Sequence, residues 1–120
     1  MTEMSKPLAE ASELVRKFNH ESRHLAAGWE FPGDAYSAVA ELADLARKLG
    51  QAIDQSVRPV QTTSDAGRLT VDDGGDPDVA MVRVQNRRGQ AVYAALRLSY
   101  ALDELHSALS PLGARLPADS

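Results

Sequence analysis

Between Ala91 and Leu109, the residues Ala91, Ala95, Leu98, Leu102, Leu105 and Leu109 recur at steps of 4, 3, 4, 3 and 4. That is the rhythm of a helix laying one apolar seam along a neighbour, and no strand period fits it. Val84 extends the seam upstream. A chain carrying such a seam must supply a second helix, from itself or from another copy, along nearly the whole length.

Two more stretches have the same period. Leu8, Ala11, Val15, Phe18, Ser22 and Leu25 step by 3, 4, 3, 4 and 3, with Leu14 beside them. Pro7 suits a first helical turn, and Gly28 suits the position just past a C-terminus. Tyr36, Val39, Ala43, Ala46, Ile53 and Val57 form a third stripe, flanked by Leu42, Leu45 and Leu49. Asp34 is an N-cap candidate and Pro59 a stop signal. Asp76-Pro77 opens the last helix as cap and first residue, and Pro111 and Gly113 close it.

The sequence therefore predicts an all-α, antiparallel three-helix bundle with helices at about 6–27, 34–58 and 77–109. A long loop occupies 59–76, where "RLTV" could run extended, and a frayed tail 114–120. Gly89, inside "QNRRGQ", marks an expected kink or break in the third helix. The alanine-rich composition, with only 5% aromatic residues, favours helices over strands. The wide apolar face of the second helix and the seam of the third exceed what one small bundle buries. A homodimer across a two-fold axis is expected.

Composition narrows the function classes. A net charge of −4 disfavours generic nucleic-acid binding. The absence of cysteine removes disulfides and thiolate metal sites. No apolar run suggests a membrane span or leader, so a cytoplasmic location is the expectation.

His20-Glu21-Ser22-Arg23-His24 reads HExxH, the pattern of a zinc-hydrolase helix. Histidines four apart share a face and can hold one zinc, with the glutamate polarising water. Yet His20 points about 180° away from the apolar stripe, and Arg23 brings a positive charge into the motif. A third ligand is also needed, and the remaining histidine, His106, lies on another helix. Two exposed histidines near a helix C-terminus, where the dipole favours them, is the plainer reading. No metal, other cofactor or catalytic residue is expected, and the zinc hydrolase stays as an alternative.

The connection "GWEFPGD" holds Trp29 and Phe31, with Tyr36 just beyond. It predicts either a plug over the helix ends or an anchor for a protein partner. Arg83, Arg87 and Arg88 lie in a stretch free of acids. The plainer reading is a solvated face or ion pairs to Glu41 or Asp44, and the alternative is a phosphate- or nucleic-acid-contacting stripe that would make the chain a DNA-binding accessory protein. Asp72, Asp73, Asp76 and Asp78 crowd around Gly74-Gly75 without the calcium-loop spacing.

Leu14-Val15-Arg16, Phe18-Asn19-His20, the run Trp29 to Tyr36 and Asp76-Pro77 resemble a group of small helical actinomycete proteins, some of which accompany mobile elements. The resemblance covers the first half of the chain best. It implies a bacterial source and no particular activity. A helix–Trp turn–helix with Tyr100-Ala101-Leu102-Asp103-Glu104 is also similar to the WXG-type secreted hairpins. Here, however, Trp29-Glu30-Phe31 lacks the third-position glycine, and the tyrosine motif falls inside a helix. The leading expectation is a non-enzymatic interaction protein that acts as a homodimer with an unknown protein partner.

Overall fold

A computed structural model describes residues 2–23 and 31–115. It contains α1 (Lys6–Glu21), α2 (Pro32–Asp65) and α3 (Pro77–Leu109), and among the described residues there is no strand. The all-α, three-helix reading holds. Its backbone is an antiparallel hairpin of α2 and α3, joined by the loop 66–76.

α2 begins two residues earlier than expected, with Phe31 as its N-cap and Pro32 in the first turn. Proline fits there because its missing N–H needs no partner. Phe31 is extended, at φ −128° and ψ 149°, as a residue before proline should be. Asp34 is thus not the cap. It sits a turn inside and reaches back, its carboxylate accepting the Phe31 N–H at 3.3 Å.

Pro59 does not stop α2, which continues to Asp65. An interior proline removes one ladder bond at a cost of about 3 kcal/mol. The Pro59 ring lies exposed, and its own carbonyl accepts the Thr63 hydroxyl at 2.9 Å. Beyond it, Gln61 pairs with Gln85 of α3, so packing carries the helix past the defect. Gly67 is the true terminator. At φ +70° its N–H donates to Ser64 O at 2.9 Å, and the Arg68 N–H donates to Thr63 O at 3.1 Å. That pair of bonds is the Schellman closure, which needs a residue tolerant of positive φ.

α3 is capped by Asp76, whose Oδ1 accepts the Asp78 N–H at 2.9 Å, with Pro77 as its first residue. It runs unbroken through Gly89. The expected break is absent because residues on both sides, Arg88 and Val92, are held against α2.

The seam of α3 lies one position away from the leucine series. Met81, Ala95 and Ser99 are its buried residues. Gln85 meets Gln61, and Arg88 meets Asp54 at 2.7 Å. Val92 packs 3.8 Å from where a Cβ on Gly50 would stand, and the His106 ring stacks on Tyr36 at 3.9 Å. On α2 the facing residues are Tyr36, Ala43, Ala46 and Gly50, then Asp54 and Gln61. The α2 stripe was therefore read in the right register. In α3, Ala95 faces the partner helix while its leucines flank the contact. Alanine, glycine and serine oppose one another here, and small side chains let two helix axes approach to the short end of the usual range.

α1 is looser. It ends at Glu21, with Ser22 and Arg23 in a turn, and none of its residues is buried; the rest of the expected span, 24–27, lies outside the described residues. Met4, Pro7 and Leu8 share a shallow cleft with Ala52, Ser56 and Pro59 of α2. With so little packing, intrinsic propensity decides the helix end, and Asn19, His20 and Ser22 are weak helix formers. The chain measures 75 × 28 × 20 Å, with a radius of gyration of 20.7 Å. A compact domain of this length would have about 14 Å.

The two glycines should respond oppositely to alanine. Gly89 has helical φ and open space around a Cβ, so Gly89→Ala should stabilise the chain by up to about 1 kcal/mol. At Gly67, φ +70° strains any L side chain, and Gly67→Ala should destabilise by about 1 kcal/mol. Thermal unfolding of both variants checks the pair. A loss of stability in Gly89→Ala would contradict the continuous α3.

Candidate functional site

The leucines excluded from the seam form a continuous apolar surface on the hairpin. Leu42, Leu45 and Leu49 of α2 lie over one side of the groove, and Leu98 and Leu102 of α3 over the other, with Ala46 as the floor. Leu105 lies seven residues after Leu98 and so extends the same face. Leu98 and Leu105 are each 47% exposed, and Leu42 and Leu45 each more than a third. Alternate α3 turns thus aim their largest side chains at solvent, while alanine and serine make the helix contact. Nothing in α1 covers this face, since its start lies against Ala52, Ser56 and Pro59.

Polar rungs fix the hairpin register. Arg47 Nη1 reaches Asp103 Oδ1 at 2.9 Å, and Arg88 Nη1 reaches Asp54 Oδ1 at 2.7 Å. The second pair is half-buried, and Arg88 also donates to Gln85 Oε1 at 2.9 Å. Asp44 serves its own helix. The Lys48 ammonium, which donates to its carboxylate at 2.7 Å, holds the Asp44 carboxyl below its ordinary range, with Arg47 adding to the effect.

The sequence-predicted residues distribute unevenly. Arg88 leaves the proposed arginine stripe, since it is committed to Asp54. Arg87 donates to Gln90 Oε1 at 3.0 Å on the exposed side, near Arg83. Among the described residues these arginines form no ion pair with Glu41 or Asp44; Arg88 pairs with Asp54 instead. Phe31 is 60% exposed at the start of α2. Tyr36 lies face to face with His106, the planes 23° apart, and so is tied into the hairpin. Trp29 and His24 lie outside the described residues. His20 is exposed, and its Nδ1 lies 2.7 Å from Arg23 Nη2. The guanidinium can only donate, so Nδ1 is the acceptor and its lone pair is occupied. Among the described residues, no three of His, Asp and Glu come together as a metal-binding group. Asp76, from the acidic loop cluster, is used as a helix cap.

Sequence reasoning missed the Tyr36–His106 stack, the Asp54–Arg88 rung and the outward turn of the α3 leucines. Only the last had a signal, since a heptad series fixes the spacing but not which of two neighbouring series faces the partner.

Compared with protein-family profiles, curated proteins and solved structures, the chain has no significant match. Among the described residues, no helix is long and apolar enough to cross a membrane.

The lowered Asp44 pKa has a definite sign. Folding favours its charged form, so its contribution is present above the unfolded carboxyl pKa and is lost as pH falls through the folded value. An NMR titration should find Asp44 below the ordinary aspartate value, and Lys48→Met should raise it back towards that value. An Asp44 that titrates normally in the unmodified chain would show that the Lys48 contact does not persist in solution.

Proposed function

We propose that the chain is a non-enzymatic interaction protein that works as a homodimer, pairing through the leucine face of α2 and α3. The observation that carries this is the open face itself: leucines at helical spacing on two adjacent helices, unopposed among the described residues. A helix with apolar residues on several sides is ordinarily buried on those sides. Among the described elements, α3 packs substantially against α2 alone.

The areas agree. The chain exposes 9669 Å², whereas a compact monomer of this size exposes roughly 6,300 Å². Obligate dimer interfaces cover about 2,000–5,000 Å² over both partners, or about 1,000–2,500 Å² per chain, so an excess of roughly 3,400 Å² per chain leaves ample area for one. Two hairpins packed face to face make a four-helix bundle, the smallest arrangement that covers both leucine faces at once. The two-fold axis then runs through the groove between Leu45 and Leu98. A bacterial cytoplasmic setting fits this reading, with Phe31 and the exposed side of α3 left to meet other proteins.

Light scattering after size exclusion tests it. The unmodified chain should elute as a dimer. Leu98→Glu with Leu105→Glu should give a monomer, because each change acts twice across a two-fold axis. Losing burial of even one leucine per copy costs about 3 kcal/mol per dimer, a weakening of at least about a hundredfold. A monodisperse monomer from the unmodified chain, at concentrations well above the micromolar range, would overturn the proposal.

A further inference from the structure

α3 carries a second apolar stripe, on neither the α2 seam nor the leucine face. Val79, Val82, Tyr93, Leu96 and Tyr100 are 46–62% exposed. With Asn86 and Gly89 between them, they step by 3, 4, 3, 4, 3 and 4. That is a complete a/d series over three heptads, about 31 Å of helix. We propose that this stripe is the docking site for an acidic amphipathic helix of a different protein.

Charge identifies the occupant. Arg83 and Arg97 follow Val82 and Leu96 by one residue, at the position that flanks such a seam and pairs with the incoming helix. They lie two heptads apart on the same edge. Among the described residues neither has an ion-pair partner, and no acid lies on α3 between Asp78 and Asp103. The edge offers cations with nothing among the described residues to neutralise them, although the chain as a whole is acidic. Carboxylates spaced two turn-pairs apart on a facing helix complete it.

A second copy does not. Docked antiparallel along the same stripe, it sets Arg83 against the other copy's Arg97, like charge against like. Docked parallel, Arg83 finds Asp78, but Arg97 meets Val92, which is packed at Gly50 of α2 and offers no carboxylate. The two polar interruptions also suit a helix partner. Among the described residues, nothing beyond the helix's own backbone and the adjoining residues lies within 4 Å of a Cβ built on Gly89, so no packing within the chain calls for glycine there. A closely approaching partner backbone would use the space. Asn86 in the same row restricts register, as one polar residue at such a position does in coiled coils.

The probe is a synthetic helix of about three heptads, with leucine at its seam positions and glutamate on both flanks. Its twin carries lysine on the flanks and is otherwise identical. Fluorescence anisotropy with the full-length protein should show the glutamate peptide binding in a salt-sensitive way. The lysine twin should bind at least about tenfold more weakly, the sum of two exposed charge pairs. Arg83→Glu with Arg97→Glu should reverse the preference. Tyr93→Glu should abolish binding, and Leu98→Glu should leave it intact. All four positions are exposed, and circular dichroism checks that the variants remain helical. Equal binding of the twins, no binding of either, or a loss that follows Leu98→Glu instead of Tyr93→Glu would each overturn the assignment. Oligomeric state is read separately by light scattering, so failure here leaves the dimer untouched.

Discussion

The structure depends on a seam of small side chains. Ala43, Ala46 and Gly50 face Ala95 and Ser99, and these positions include four of the five most buried residues described. Small residues bury little apolar area each, so their worth is geometric. They draw the helices together and force every larger side chain to the flanks. The leucine face, the tyrosine stripe and the solvent-facing arginines all follow from that displacement. Had leucines filled the seam, the hairpin would have a fuller core and far less surface to offer a partner.

Large exposed area then ceases to be a defect of a small core. The hairpin's specificity comes from its rungs: Gln61 with Gln85, Asp54 with Arg88, Arg47 with Asp103, and Tyr36 with His106. Each is modest in energy, since the ion pairs are a third or more exposed. Together they are spaced along the full hairpin, and a slip of one residue breaks all of them. A seam that is weak in burial and strict in register suits a helix pair that must hold its shape before its outer faces are covered.

Much of the fold was legible in the sequence. Three helical periods gave three helices, Asp76-Pro77 gave the start of α3, and the α2 stripe from Tyr36 to Val57 was read in the right register. The errors have physical causes. Pro59 and Gly89 are local breakers, and local rules lose where tertiary contacts hold both sides, as Gln61 and Arg88 do here. α1 erred the other way: its stripe predicted helix through Ser22 and Arg23, but with no tight partner the stripe has nothing to enforce it there. In α3 the leucines looked like the core because hydrophobicity was weighed and size was not. Of the site, the aromatic and arginine residues were visible as candidates. Their division into bound and unbound members, Arg88 against Arg83, depends on which α2 carboxylate falls opposite, and that is fixed only by the hairpin register.

The order of the rungs has a consequence for how the chain folds. Counting outward from the loop, the paired residues are separated by 24, 34 and 56 positions. Gln61 and Gln85 close the shortest loop and therefore have the smallest chain entropy to overcome. Each later rung forms on a hairpin already closed behind it, so the route is a zipper running from Gly67 towards Tyr36. The same gradient sets where the native hairpin frays. Opening from the Tyr36–His106 end frees the chain one rung at a time, whereas opening beside the loop breaks the Gln61–Gln85 rung and gains little freedom while the outer rungs stay closed. The terminus that first releases its stacked rings is also the one where Phe31 stands exposed, so the end richest in aromatic surface is the end most easily reshaped.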